Sequence, residues 1–188
     1  ADVETHPKQL LIKVEDEATS FARNLLAEAK FTNSGPLIAI QAGASQEKRQ
    51  WSPNLFIRLV KQLLERTQAR IVLTGTSKEL SILDPIVKAV NSPNVFSAAG
   101  KTTIPQLAAV LKECNLLVTG DTGTMHMAVA VGTPVVAMFL ASAFGFETGP
   151  YSEGNIVLQP VIGCGPCNPN KSCGGLECHD TISPELGA

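Results

Sequence analysis

Short runs of β-branched and other apolar residues alternate along this chain with longer segments whose apolar residues recur at helical spacing, and this alternation constrains the fold more than any other feature. The runs Leu37 to Gln41, Arg70 to Thr74, Val95 to Ala98, Leu116 to Thr119, Pro134 to Phe139 and Ile156 to Leu158 read as strands. Their apolar character is nearly continuous, as expected of strands covered on both faces; half-exposed antiparallel strands would alternate. Between them, Pro53 to Arg66 starts a helix behind Ser52 and carries Phe56, Leu59, Val60, Leu63 and Leu64 on one stripe. Residues 78 to 90 form a second amphipathic segment, which Pro85 should kink or shorten. Ile104 to Cys114 and Gly123 to Val131 complete the set, the last stopped by Gly132-Thr133-Pro134. The expected fold is α/β: a Rossmann-like parallel sheet with helices on both faces.

The two ends read differently. Leu10, Leu11, Ile12 and Val14 suggest a short edge strand, and Glu17 to Lys30 an amphipathic helix that ends before Asn33-Ser34-Gly35-Pro36. Residues 1–35 are therefore expected to be a lead-in from an upstream domain, a reading to which the absence of an initiator methionine at Ala1 adds. Residues 36–188 form the domain proper, with a Cys-rich tail at 163–179 and a helix start at Ser183-Pro184-Glu185. A hydrophobic content of 44% is ample for a core, whereas 15 Lys plus Arg against 17 Asp plus Glu, a net charge of −2, supply no basic face for nucleic acid. No apolar run reaches the roughly 18 residues of a membrane span, and the charged start at Ala1 to Lys8 is unlike a secretory signal. A soluble cytoplasmic protein is expected.

Three strand ends carry the chemistry. In Leu116-Leu117-Val118-Thr119-Gly120-Asp121-Thr122-Gly123, a buried strand runs straight into a helix, whose first amides and positive dipole end suit an anion. The competing reading makes Asp121 or Thr122 an ordinary helix cap. Leu37 to Gln41 runs into Gly43-Ala44-Ser45, followed by Lys48, Arg49 and Trp51: small residues for close approach and a guanidinium for a diphosphate. Trp51 reads as a packing anchor. The third junction is Ala99-Gly100-Lys101-Thr102-Thr103. All three open on one edge of a parallel sheet, where one crevice can collect them. Neither the dinucleotide Gly-x-Gly-x-x-Gly nor a P-loop is present.

These segments, with Gly132-Thr133-Pro134-Val135-Val136-Ala137 and Thr148-Gly149-Pro150-Tyr151, resemble the donor-binding half of the ADP-heptose:lipopolysaccharide heptosyltransferase family, from about Leu37 to Glu185. The resemblance implies a glycosyltransferase of the GT-B type, two Rossmann-like domains facing across a cleft, of which this chain is the carboxyl-terminal one. It implies an ADP-sugar donor and a lipid-linked saccharide acceptor of the lipopolysaccharide inner core, bound with the help of the other domain at the inner face of the cytoplasmic membrane. By position, Ser45 and Arg49, with Ala44 beside them, contact the diphosphate; Thr122 and Gly123 bind it from the helix end. Asp121 accepts hydrogen bonds from sugar hydroxyls, Lys101 or Thr102 lies near the adenine, and His126 faces the cleft. For the ribose hydroxyls, Ser77 and Glu79 are the candidates after Leu73-Thr74-Gly75.

No general base is apparent among these residues, and the resemblance assigns it to the other domain; the chain alone is then expected to bind donor without transferring sugar. Amides and Arg49 meet the leaving-group charge, so no cofactor or metal is expected for transfer. Cys164, Cys167, Cys173 and Cys178, with His179 adjacent, leave three readings open: a zinc site begun by the Cys-x-x-Cys pair, disulfides formed on oxidation, or reduced thiols packing a loop. Cys114 reads as a buried small hydrophobe. Two alternatives to a transferase remain: a sugar-nucleotide epimerase-type domain, which would prefer a UDP-sugar, and a non-enzymatic nucleotide-binding module.

Overall fold

The structure, a computed structural model, describes residues 10–46, 49–140, 144–161 and 177–186. Six strands, β1 (Leu37–Gln41), β2 (Arg70–Thr74), β3 (Val95–Ser97), β4 (Leu116–Gly120), β5 (Val135–Met138) and β6 (Ile156–Leu158), form one parallel sheet in the order β3-β2-β1-β4-β5-β6. Every pairing is parallel, which requires each connection to cross back over a face of the sheet. The crossovers are the predicted helices: α2 (Pro53–Thr67), α3 (Leu80–Val90), α4 (Ile104–Lys112) and α5 (Gly123–Ala130), preceded by α1 (Asp16–Glu28) and followed by the one-turn α6 (Gly145–Thr148).

The strand period of two divides the core. Ile38 and Ile40 point to the face covered by α2 and α3, among Phe56, Leu59, Leu83 and Ile86, while Leu37 and Ala39 point to the face covered by α1, α4 and α5. The second face is rich in small residues, Ala18, Ala22, Ala109, Ala128 and Ala137, which lets its helices lie close to the sheet and to one another. Cys114 belongs to this face. Its thiol donates to the Val110 carbonyl at 3.2 Å, and burial, with the neighbouring Glu113 carboxylate, pushes its pKa up to about 12.

Helix α1 buries Ala18, Ala22 and Leu25 against this same face, so residues 16–28 of the expected lead-in share the domain's core. The edge strand expected at Leu10 to Val14 does not form. The sheet's edges are β3 and β6, and the segment passes instead beside the end of α5, where the Ile12 amide donates to the otherwise unsatisfied Ala130 carbonyl at 3.0 Å. Pro85 lies within α3 without ending it; the segment starts as a tight turn at Ser77–Glu79 and continues as helix to Val90. Among the described residues, no helix is long and apolar enough to cross a membrane.

The amino-terminal edge of the sheet is closed by asparagines. Asn115, just before β4, accepts the Leu37 amide at 2.8 Å, and Asn155, just before β6, accepts the Val135 amide at 2.8 Å. Asn94, just before β3, accepts the amides of Thr32 and Asn33, each at 2.8 Å, and so fastens the α1–β1 connection.

Trp51 is the packing anchor its sequence context suggests. It is 3% exposed, meets Phe56 edge-on at 4.8 Å, and donates its indole N–H to the Ile182 carbonyl at 3.1 Å. Cys178 and Ile182 are thereby drawn into the core, and the expected helix start at Ser183 is a short turn, Pro184–Leu186. Hydrogen bonds from Ser183 and Gln62, with Arg58 at 2.8 Å, hold the Glu185 carboxyl down to about 2. Trp51→Phe leaves the buried Ile182 carbonyl without its donor and is expected to lower stability by about 1–3 kcal/mol. Urea unfolding measures it; an unchanged midpoint would mean that Trp51 does not hold this segment.

Candidate functional site

In the order β3-β2-β1-β4-β5-β6, the chain leaves β1 toward one face and β4 toward the other, and the loops at their carboxyl ends part to leave a crevice. Gly43, Ala44 and Ser45 follow β1 on one side of it; Asp121, Thr122 and Gly123 follow β4 on the other. The backbone of Arg49 passes close to the end of β4, where a side chain on Gly120 would come within 3.2 Å of the Arg49 carbonyl. Its guanidinium Nη1 meets Asp121 Oδ2 at 3.1 Å. These side chains are 29% and 12% exposed, against 84% and 68% for the surface pair Lys13–Glu15, so their charges are far less screened by water.

The start of α5 tests the capping alternative. Thr122 occupies the cap position but makes no side-chain cap hydrogen bond; its hydroxyl lies 3.0 Å from that of Thr119. Asp121 is engaged with Arg49. Gly123 faces open space: among the described residues, and apart from its chain neighbours and its own helix backbone, no atom lies within 4 Å of where a Cβ would stand. The first-turn amides therefore open on the crevice at the positive end of a helix, next to a guanidinium, an arrangement suited to a polyanion.

Adjoining it is a cavity of about 350 Å³ at the ends of β1, β2 and β3, lined among others by Gln41, Thr76, Glu79, Gly100, Thr102 and Thr124. Thr124, in the first turn of α5, links the cavity to the helix end. Ile104, 72% exposed, and Leu107 give it an apolar wall, while Glu79 is the one ionisable group among the described lining residues. The Glu79 carboxylate accepts from the Thr76 amide at 2.6 Å, the Thr76 hydroxyl at 2.9 Å and the Gln41 side-chain amide at 3.1 Å. Of the pair considered for ribose, Ser77 and Glu79, both line the cavity.

Elsewhere the candidates scatter. Thr102 lines the cavity, whereas Lys101 holds its ammonium 4.4 Å above the Phe96 ring. His126 is half-buried and stacks on Tyr151 at 5.9 Å, with no hydrogen-bond partner for its Nδ1 among the described residues, while Met125, Ala128 and Val129 pack inward as the helical spacing predicts. Lys48, Cys164, Cys167 and Cys173 lie outside the described residues. Cys178 is 4% exposed in the core beside Ile182, and no metal-binding group occurs among the described residues. Sequence reasoning passed over Gln41. Its signal was there: an amide ending a strand whose other residues are all apolar.

The sequence profile of glycosyltransferase family 9 (heptosyltransferase) matches residues 1–174. Lipopolysaccharide heptosyltransferase 2 of Salmonella typhimurium is 29% identical over 143 residues, covering 74% of this chain and 40% of that protein. The Escherichia coli K12 protein of the same name is 27% identical, over 84% of this chain and 46% of that one, so the chain spans less than half the length of these curated relatives. Among solved structures, a family 9 glycosyl transferase from Veillonella parvula superposes with a TM-score of 0.77 at 26% identity, over 84% of this chain and 44% of the other. Escherichia coli ADP-heptose lps heptosyltransferase II gives 0.75 at 24% identity, over 93% and 50%, a likeness of fold.

Because Thr122 makes no cap bond, Thr122→Ala is expected to lower stability by less than about 0.5 kcal/mol, against about 1 for a true cap, and to weaken binding of inorganic pyrophosphate. Urea unfolding and calorimetry on the same variant measure both. A loss near that of a cap, with pyrophosphate binding unchanged, would return Thr122 to a structural role.

Proposed function

The chain belongs to glycosyltransferase family 9, and we propose that it is the part of such an enzyme that holds the nucleotide-sugar, ADP-heptose, for transfer to the lipopolysaccharide inner core. One observation carries the reading: the Arg49–Asp121 pair lies beside the uncapped start of α5, at the sheet's switch point and next to a nucleoside-sized cavity. The diphosphate lies between the Gly43-Ala44-Ser45 turn and the amides of Thr122 and Gly123, with Arg49 as its cation. The adenine rests on the wall of Ile104 and Leu107 near Thr102, and the ribose meets Glu79.

In transfer, an acceptor hydroxyl oxygen attacks the anomeric carbon, the bond from that carbon to the diphosphate oxygen breaks, and ADP departs carrying the electron pair. Negative charge grows on the departing oxygen, where donors fixed in advance stabilise the transition state more than mobile water does. Arg49 and the α5 amides are such donors, and they suffice without a metal. Asp121 accepts from sugar hydroxyls; His126, in the following helix, is stacked on Tyr151. The acceptor's proton goes to a base on a facing domain, which with this one completes a GT-B cleft at the cytoplasmic side of the membrane.

Calorimetry on the 188-residue chain is expected to give tighter binding of ADP than of UDP, with Arg49→Ala weakening ADP by about 1.5–3 kcal/mol and no sugar transfer by the chain alone. Equal or UDP-preferring binding would favour an epimerase-type domain, and transfer without a partner would remove the facing domain from the proposal. Elemental analysis of freshly purified protein separates the readings of the cysteines: one zinc per chain would support a metal site, and its absence would leave disulfides or packed thiols.

A further inference from the structure

Gln41 ends a strand that is otherwise apolar, and at 6% exposure it is buried with it. A buried primary amide needs partners, and those of Gln41 fix which way it points. One end of the amide faces two groups that can only accept, Glu79 Oε1 at 3.1 Å and the Gly43 carbonyl at 3.4 Å, so that end is Nε2, and Oε1 accepts from the Thr74 hydroxyl at 3.0 Å. Thr74 is 1% exposed, and its hydroxyl lies nearer to Gln41 Oε1 than to its other acceptor, the Ile40 carbonyl at 3.4 Å.

Glu79 receives this amide on Oε1 and the amide and hydroxyl of Thr76 on Oε2. A carboxylate offers about four lone-pair sites, and these bonds occupy three, leaving one on Oε1. No cation pairs with Glu79 among the described residues. Gly43 supplies an independent observation: a Cβ there would stand 1.8 Å from Glu79 Oε1, so this oxygen keeps its position only because residue 43 has no side chain.

Building on the reading of the cavity as the nucleoside site, we propose that Gln41 is a positioning residue that, with the bare backbone of Gly43, aims the remaining lone pair of Glu79 at a hydroxyl of the ribose cis-diol, making the site selective for ribonucleoside over deoxyribonucleoside diphosphates. Removing Gln41 or filling the space at Gly43 leaves the carboxylate in place chemically but no longer holds it at the point where the hydroxyl arrives. Affinity for the ribonucleotide then falls toward that for the deoxyribonucleotide.

The test is calorimetry of the full 188-residue chain with ADP, 2′-deoxy-ADP and 3′-deoxy-ADP, on the unaltered protein and on Gln41→Met, Gly43→Ala and Gln41→Glu. The unaltered chain is expected to favour ADP over at least one deoxy form by about tenfold, the scale of a hydrogen bond to a charged group. Gln41→Met and Gly43→Ala are expected to bring that ratio to within about twofold of unity, as the loss of that bond requires. In Gln41→Glu, two carboxyl groups at hydrogen-bond distance hold one proton between them. A protonated Glu at position 41 donates to Glu79 and accepts from Thr74 as the amide does, so the preference for ADP should return as the pH falls from about 8 toward 5 and vanish as it rises. If Gln41→Met does not fold, Gly43→Ala and the pH series carry the decision. A purely structural Gln41 would lower all three affinities by one factor and leave the ratios where they were, which overturns the inference. Failure of the unaltered chain to bind ADP would instead remove the nucleotide reading itself, and this inference with it.

Discussion

The parallel pairing of β1 with β4, in register from Ile38 opposite Leu116 to Gln41 opposite Thr119, is the constraint on which the rest depends. It joins segments far apart in the sequence and places the point where the chain's course reverses at the middle of the sheet. From there β2 and β3 extend one way and β5 and β6 the other. Because the strands are parallel, all their carboxyl ends lie on one edge, and every connection must return over a helix before the next strand begins. The loops that leave β1 and β4 therefore cannot help but face each other across an opening.

The two edges of the sheet meet the same need in opposite ways. Strand-end backbone groups must find partners. At the amino-terminal edge, Asn115 and Asn155 supply them to Leu37 and Val135 of the neighbouring strands, and Asn94 to the connection entering the sheet. At the carboxyl edge the residues are Gly43, Gly75, Gly100, Gly120 and Gly123, with threonines between them, and the first turn of α5 has no side-chain cap. The amino-terminal edge is closed by side chains, and the proposed site lies on the carboxyl edge, where the first turn of α5 has no side-chain cap. The Arg49–Asp121 pair sits on the open edge, where its shielding keeps its field effective.

Beyond the sheet, Trp51 couples the site's framework to the end of the chain. It stands between the loop that carries Arg49 and helix α2, and its single indole donor reaches the Ile182 carbonyl. The carboxyl-terminal segment is thus held against the face of the sheet whose loops form one wall of the crevice, with Arg58 and Gln62 of α2 adding bonds to Glu185.

Periodicity located the six strands and the helices α1 to α5. β1, β2 and β6 have the bounds that their apolar runs predict; β1 and β2 are buried along nearly their whole length, whereas β6 is an exposed edge strand paired with β5. The junctions Gly43-Ala44-Ser45 and Gly120-Asp121-Thr122-Gly123 were equally legible, because glycine beside a hydroxyl residue at a strand end has few other uses. The segment Leu10 to Val14 was misread as a strand because apolar composition does not reveal whether a sheet edge lies within reach; here an orphan carbonyl of α5 took its place. What only the tertiary structure decided was pairing between distant residues. That Arg49 meets Asp121, that Lys101 turns to Phe96, and that Gln41, Thr74, Thr76 and Glu79 form one network depend on the order of strands and on side-chain directions. Local sequence carries the period of each element, but a contact across the sheet exists only once the chain has chosen which strands are neighbours.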